Sequence, residues 1–486
     1  MDIFARIDRW GHDAPHRSAH ISGARQLTYH ELIHRSNALA AYLARALPGD
    51  GTPVAVVGHK EPEMLIAFLG AVKSGHPYIP LDTTLPAQRI NQIISSSEAG
   101  LTLTPQRVMA LSDDFAPAPR RHPDTADPYY IMFTSGSTGT PKGVVITYGC
   151  LINFLAWMLA EQELSAPGEV FLNQVPFSFD VSVMDLYFSL ISGGTIFSIT
   201  REDIANPRQL YEALGESGVT IWVSTPSFAR LCLADRSFSQ TMLPRLRRFI
   251  FCGETLAPEV ASQLLDRFPD APIWNTYGPT EATVATTSVR IDRAMIDQYT
   301  ALPIGRPMPG TRMPLLDPAG RPVAPGTKGE IIISGPNVSP GYLGRPDLTA
   351  RAFFELDGVW SYRTGDLGHE RDGLLFFDGR RDNQIKLHGY RIELGDVEAH
   401  LQALPEVRDA VVVAKLKQDL PDSLAAFVIL NERPAVADRQ LARDLGERLA
   451  ERLPRYMVPR IFRFLEAFPM TTNGKADRRK LAELLV

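Results

Sequence analysis

Cysteine is scarce in this sequence: Cys150, Cys232 and Cys252 are the only three in 486 residues. They stand far apart and form no CxxC pair, so neither a zinc site nor a disulfide framework is expected, and the reducing cytoplasm is the natural compartment. Long apolar runs are missing as well. The segment Met1 to Asp8 carries charges where a signal peptide would need an apolar stretch, and nothing is long and apolar enough to span a bilayer. Strong charge of either sign is absent, for a net charge of −5 leaves no global basic field to make nucleic acid a principal ligand. Internal repeats and low-complexity tracts are absent too. What is there, 44% hydrophobic and 22% charged residues, is the ordinary make-up of a soluble folded protein.

The chain exceeds the roughly 250–300 residues at which a single core stops growing, so two or more domains are expected. Thr28-Tyr29-His30-Glu31-Leu32 leads into apolar residues at helical spacing through Leu39 and Leu43, which predicts a helix with Thr28 near its N-cap. Val54 to Val57 predicts a buried strand and Met64 to Val72 another helix. The alternation recurs at Val219 to Val223 and Phe249 to Phe251, each followed by helical spacing, and points to an α/β architecture. Ser112 to Pro128, rich in Pro, Asp and Arg, is expected as a solvated connection before a strand over Tyr129 to Thr134. From Gly379-Arg380-Arg381-Asp382 the texture turns α+β: strands at Ala410 to Val413 and Ala425 to Leu430, then a helix from Asp438 to Leu453. The expected division is a large N-terminal domain of sheets and helices, 1–381, and a small α+β C-terminal domain, 382–486.

The sharpest local pattern is Phe133-Thr134-Ser135-Gly136-Ser137-Thr138-Gly139-Thr140-Pro141-Lys142-Gly143, directly after a predicted strand. Glycines let backbone N–H groups approach phosphate oxygens, hydroxyls add donors and lysine adds charge. A P-loop NTPase needs Gly before its Lys and Ser or Thr after it; Pro141 and Gly143 occupy those places, and that reading fails. A flexible surface loop is the plain alternative for any Gly/Ser-rich run, but a lysine-terminated run after a buried strand argues for phosphate.

This loop resembles the nucleotide loop of the adenylate-forming superfamily, which holds nonribosomal-peptide adenylation domains, acyl-CoA synthetases and luciferases. Further motifs fall in that family's order, from Thr28-Tyr29-His30-Glu31-Leu32 and Gly75-His76-Pro77-Tyr78-Ile79-Pro80-Leu81-Asp82 to Asn473-Gly474-Lys475, across essentially the whole chain. The resemblance implies an ATP site of Thr134, Ser135, Gly136, Ser137, Thr138, Gly139, Lys142, Asn275, Thr276, Tyr277, Gly278, Thr280, Asp366, Arg380 and Lys475. In Asn275-Thr276-Tyr277-Gly278-Pro279-Thr280-Glu281 the aromatic ring would lie against adenine and Glu281 would hold Mg2+, a cation that needs few carboxylates beside phosphate and water. In Ser361-Tyr362-Arg363-Thr364-Gly365-Asp366 the aspartate would accept from the ribose hydroxyls. Lys475 would bridge the substrate carboxylate and the α-phosphate, where one cation between two converging anions favours the transition state. Glu281 and Arg380 complete the implied catalytic set, Arg380 as a phosphate or ribose contact. Asp382 would be the hinge about which a mobile C-terminal domain swings between two half-reactions.

Phe177-Ser178-Phe179-Asp180-Val181-Ser182-Val183-Met184-Asp185 is similar to the segment in which amino-acid-activating members place an aspartate for the substrate ammonium; a buried carboxylate needs such a cationic partner. By register the pocket comprises Asp180, Val181, Met184, Ser224, Ile250, Cys252, Thr276, Val284, Ala285 and Lys475. Met184 and Cys252 leave little room and no charge faces the side-chain position, so a small uncharged amino acid is expected; alanine, glycine and serine all fit on size. A closer resemblance, through Ser224-Thr225-Pro226-Ser227-Phe228, Phe251-Cys252-Gly253-Glu254 and Gln384 to Arg391, is to stand-alone ligases that load D-alanine on a carrier protein, and it implies the D enantiomer. Val181 stands where that group commonly has leucine, a change of about one methylene and roughly 1–3 kcal/mol of discrimination.

The chain has no Gly-Gly-His/Asp-Ser carrier site of its own, so the acceptor is expected to be a separate phosphopantetheinylated carrier protein. The basic stretch Arg452 to Arg463, with Arg455 and Arg460, would meet such acidic carriers; a solvated helix face is its ordinary alternative. An enzyme for another small amino acid, an acyl-CoA synthetase and a degenerate nucleotide-binding protein are the competing readings. Asp180 speaks against the second, and Lys142, Glu281, Asp366 and Lys475 together against the third.

Overall fold

The structure, a computed structural model, describes residues 1–47, 49, 51–114, 121–136, 139–162, 167–417, 420–470 and 476–485. The first helix signal is realised over Tyr29–Ala46: the Thr28 side chain accepts the Glu31 amide while the Glu31 carboxylate takes the Thr28 amide, a reciprocal capping box. The apolar run after Val54–Gly58 becomes the helix Glu63–Lys73, buried on every side as an all-round apolar helix must be.

Several element boundaries differ from expectation, and the strand expected at Val219 to Val223 runs over Ile221–Ser224. Helix Pro105–Asp114 runs into the stretch expected as a connection, and the strand that follows begins at Pro128. The helix begun at Asp438 stops at Ala450, short of Leu453, whose neighbour Pro454 disfavours helical geometry before it. The two C-terminal strands extend over Val407–Lys417 and Leu420–Leu430, because antiparallel pairing carries on into polar residues that give no apolar pattern. The basic stretch from Arg452 is no helix face: it holds a 3-10 turn, Arg455–Met457, and a strand, Ile461–Phe464.

Contacts gather the chain into two compact units. One comprises Met1–Asp82, Ser97–Met132 and Gly143–Arg381; the other comprises Thr83–Ser96, Phe133–Lys142 and Asp382–Val486. At the heart of the first is a nine-stranded sheet. Its order is Arg306–Pro307, Thr287–Ile291, Ile273–Tyr277, Arg248–Phe251, Ile221–Ser224, Val170–Asn173, Thr195–Ser198, Ser18–Ser22 and Arg25–Thr28. The six strands from Ile273–Tyr277 to Ser18–Ser22 run parallel, with antiparallel strands at both edges. Such strands are covered on both faces, and the apolar clusters around Phe68, Tyr129, Met184 and Ile250 and around Trp222, Phe249 and Phe268 do this. A six-stranded sheet containing Val54–Gly58 and a five-stranded sheet built on Val359–Arg371 complete the unit.

The second unit has its own core, Ile392, Val397, Leu401, Val412, Val428, Leu445 and Leu449 among others, between helices Leu394–Gln402 and Asp438–Ala450 and a three-stranded sheet. Within it Arg89 donates to Asp396 at 3.0 Å, both side chains buried, and ties helix Ala87–Ser96 to helix Leu394–Gln402. Among the described residues no helix is long and apolar enough to cross a membrane.

Candidate active site

In open α/β sheets, ligands bind beyond the carboxyl ends of the strands. Three adjacent strands of the nine-stranded sheet bring Ser224, Cys252 and Thr276 to that edge. The Cys252 amide donates to Ser224 O at 3.3 Å, and the Thr276 hydroxyl donates to Phe251 O at 2.8 Å. Ser224 Oγ takes the Trp222 indole N–H at 2.7 Å and donates to Thr225 O at 2.9 Å. These hydroxyls are therefore spent inside the protein, and the wall they complete is carbon and sulfur. The Cys252 thiol reaches Val284 O at 3.6 Å, which joins the sheet edge to the loop after Tyr277. Ile250, Ala285, Val181 and Met184 are buried, the last two on the helix Val181–Ser192. A Cβ at Gly253 would lie 3.6 Å from a Val181 methyl and 3.7 Å from the Thr225 methyl, so helix and strand ends meet there.

Asp180 precedes that helix in the N-cap place, yet its side chain makes no capping hydrogen bond. It is half-buried. Burial first, and the Asp180 charge second, push the Tyr130 phenol well above its ordinary pKa. The Tyr130 hydroxyl has no hydrogen-bond partner among the described residues.

The second cluster is polar. Tyr277 donates its hydroxyl to Asp366 Oδ2 at 2.5 Å, and Arg380 pairs with Oδ1 of the same carboxylate. Burial, then the Asp366 charge, push the Tyr277 phenol well up, so it stays a donor. Arg380 thus holds Asp366, and each carboxylate oxygen keeps a lone pair for a further donor. Glu281 is fully buried; its Oε1 accepts the Tyr342 hydroxyl at 2.8 Å, and its backbone carbonyl accepts the Ser339 amide at 2.9 Å. A hard oxygen ligand held at both ends suits Mg2+. Asn275 turns its side chain to Pro303 O at 2.8 Å, which braces the strand, and Thr280 takes the Thr283 amide on its carbonyl.

Between the two clusters the chain passes through a strained turn. Thr283 and Val284 both adopt left-handed φ, +59° and +67°, a conformation that β-branched residues strongly disfavour. Asn337 holds it: its Nδ2 donates to Ala282 O at 2.8 Å and Thr286 Oγ1 at 3.0 Å, while its carbonyl accepts the Thr283 hydroxyl at 2.8 Å. Gly278 permits the crossing, since a Cβ there would stand 2.7 Å from Ala285 Cα.

The Gly/Ser/Thr-rich loop belongs to the second unit. The Thr134 hydroxyl is buried without a partner among the described residues, whereas Ser135 Oγ donates to Arg391 O at 3.0 Å and accepts the Glu393 amide at 3.3 Å. A Cβ at Gly136 would collide with Thr140 O at 2.1 Å, so the loop's tight return needs glycine. Gly139 has φ +81°, and Lys142 opens the strand Lys142–Thr147. Ser137, Thr138 and Lys475 lie outside the described residues. Asp382 takes the Gln384 amide on its carboxylate at 3.1 Å; just before it, Arg381 pairs with Glu330 at 2.5 Å and donates its amide to Gly365 O at 2.9 Å.

Asn337, Tyr342 and Ser339 escape a reading of the sequence. Only Gly341, at φ +137° beside Tyr342, carries a local signal, and nothing near Asn337 separates it from any turn asparagine.

Residues 7–343 match the family described as AMP-binding enzyme, and residues 396–475 match the AMP-binding enzyme C-terminal domain. The chain is 45% identical over 499 residues to a D-alanine--D-alanyl carrier protein ligase of Bacillus cereus (strain G9842), with 99% of each chain covered. A ligase of the same name from Bacillus anthracis (strain CDC 684 / NRRL 3495) is 45% identical over 498 residues, again with 99% of each covered. Among solved structures, a holo nonribosomal-peptide-synthetase protein containing adenylation and PCP domains, bound to a vinylsulfonamide inhibitor, superimposes with a TM-score of 0.81 at 27% identity, over 99% of this chain and 84% of that one. The Vibrio cholerae adenylation domain AlmE, in complex with glycyl-adenosine-5'-phosphate, superimposes with a TM-score of 0.86 over 100% and 97% of the two chains; at 23% identity this is a likeness of fold.

Proposed function

This chain belongs to the AMP-binding enzyme family, and we propose that it activates D-alanine with ATP and passes the alanyl group to the phosphopantetheine thiol of a separate carrier protein. The observation that carries this reading is the union of full-length similarity to such ligases with the buried, uncharged Val181, Met184, Cys252 and Val284 in one apolar cluster and the half-buried Asp180 next to Val181. These side chains carry no charge, and Asp180 offers a counter-ion for an ammonium.

In the first half-reaction an oxygen of the alanine carboxylate attacks the α-phosphorus and the bond to pyrophosphate breaks, giving alanyl-AMP. The carboxylate is already ionised, so no general base is needed. Tyr277 supplies a ring for adenine, Asp366 accepts from the ribose, and the Thr134 to Lys142 loop and Lys475 supply donors and charge to the phosphates. Bound Mg2+ would neutralise phosphate charge, with Glu281 as its protein ligand. In the second half-reaction the thiol attacks the alanyl carbonyl and AMP leaves. We take 1–381 as the activating core and 382–486 as the domain that swings about Asp382 between them. Three buried free thiols and the use of ATP fit a cytoplasmic enzyme.

Amino-acid-dependent exchange of labelled pyrophosphate into ATP tests the reading across D-alanine, L-alanine, glycine, D-serine and L-serine. Strongest exchange with D-alanine, lost in Asp180→Ala and Lys475→Ala, is the expected result. Strongest exchange with another amino acid overturns the substrate, and exchange with none overturns the activity.

A further inference from the structure

Lys60 is 2% exposed, and its ammonium donates to three backbone carbonyls: Asn173 at 2.9 Å, Gln174 at 2.7 Å and Ile199 at 2.8 Å. All three donors are spent on the carboxyl ends of strands Val170–Asn173 and Thr195–Ser198. Burial pulls the Lys60 pKa down to about 7, against the opposing charges of Asp185, Asp82 and Asp203.

A directional chain of hydrogen bonds closes on the same place. Ser198 gives its hydroxyl proton to Asn173 Oδ1 at 2.8 Å, so it accepts from His20 Nε2, also at 2.8 Å. Asn173 Nδ2 in turn donates to Asp185 Oδ2 at 2.5 Å and to Val175 O at 3.1 Å. Burial holds His20 neutral, its pKa drawn down to about 3, which agrees with an imidazole that donates through one nitrogen.

These groups bracket Asp180. Asn173 and Gln174 open the segment Asn173 to Phe179 that delivers it, and Asp185 sits on the helix Val181–Ser192 that starts just after it. The aspartate is half-buried in the N-cap place of that helix, so its backbone is set by the segment before it and the helix after it.

We propose that Lys60, acting through Asn173 and with Asp185, is a positioning residue for the amino-acid site: a buried cation that never touches substrate but sets where Asp180 presents its carboxylate. The inference rests on the reading of Asp180 as the ammonium anchor.

The test is Lys60→Met beside Asp180→Asn, in pyrophosphate exchange with D-alanine and ATP each varied. Lys60→Met takes the ammonium donor from the Gln174 and Ile199 carbonyls and leaves Asn173 O with the Ile199 amide alone, and the D-alanine KM is expected to rise about tenfold while the ATP KM stays within about twofold. A merely structural role would lower the active fraction, and hence kcat, and leave both KM values in place. An unchanged D-alanine KM in Lys60→Met, with a raised one in Asp180→Asn, overturns the inference alone. An unchanged KM in Asp180→Asn overturns the anchor reading and the inference with it. Where Lys60→Met gives no folded chain, Ser198→Ala, which cuts the same network at one hydroxyl, decides: a rise of about threefold in the D-alanine KM supports the inference and no rise overturns it.

Discussion

Around Asp366 each side chain is held by another through charge: Arg380 and Tyr277 both grip the one carboxylate, and Tyr342 grips Glu281. Across the turn Ala282–Thr286 the opposite holds. Val181, Met184, Cys252 and Val284 are buried, uncharged members of one apolar cluster, and the hydroxyls of Ser224 and Thr276 are turned back into the protein. The difference teaches how the proposed enzyme divides its labour. Under the proposed function, binding of the large, charged nucleotide would rest on a few strong polar contacts that fail together, whereas choice among small amino acids would rest on volume, where each methylene is worth only roughly 1–3 kcal/mol.

Asp366→Ala should break this contrast most sharply. It leaves Arg380 and Tyr277 without their acceptor in a buried place, a loss of about 3–5 kcal/mol. The ATP KM in pyrophosphate exchange is expected to rise more than about a hundredfold with a D-alanine KM that hardly moves; equal rises would show that the two regions are one.

Asn337→Ala probes the turn they share. It removes the donor to Ala282 O and the brace on a left-handed Thr283–Val284 pair, so the chain should lose about 1–3 kcal/mol in chemical denaturation. Both KM values should rise together, unlike those of any variant confined to one side.

Tyr342→Phe narrows the question to Glu281. Loss of one hydrogen bond to a buried carboxylate is worth about 1.5 kcal/mol. The Mg2+ concentration for half-maximal ATP binding, read by titration calorimetry, should rise about tenfold, and the D-alanine KM should not follow it.

Val181→Leu has the smallest expected effect. Filling the wall by one methylene should cost amino acids larger than alanine about 1 kcal/mol relative to alanine, a fivefold change in the ratio of kcat/KM values. A ratio that stays put would remove Val181 from the pocket wall.

Much of this architecture is legible in single residues. Thr28 and Glu31 announce a helix start because a capping box is a local bargain between neighbours, and Gly136 and Gly278 mark places where a Cβ cannot stand. Tyr277, Glu281, Asp366 and Asp180 sit in short runs that carry the family resemblance, and it is the resemblance, not the local residues, that implies their tasks. What stays hidden are residues whose role depends on distant partners. Asn337 acts on a turn more than fifty positions before it, with |i−j| of 55 to Ala282, and Lys60 acts on carbonyls 113 to 139 positions away. The strand ends beyond Val413 and before Ala425 were equally silent, because pairing rather than hydrophobicity extends them.

By itself, then, the order of residues determined the α/β class and the place of the helix starts, since these follow from local sterics and from the chemistry of neighbouring side chains, and its motifs carried the resemblance to the family. Only the tertiary structure decided that Arg380 spends its charge on Asp366, that Ser224 and Thr276 turn their hydroxyls inward, and that a buried lysine holds the strand ends before Asp180. Those outcomes hang on which polar groups lose water together, and burial is a property of the whole packed chain that no local run of residues contains.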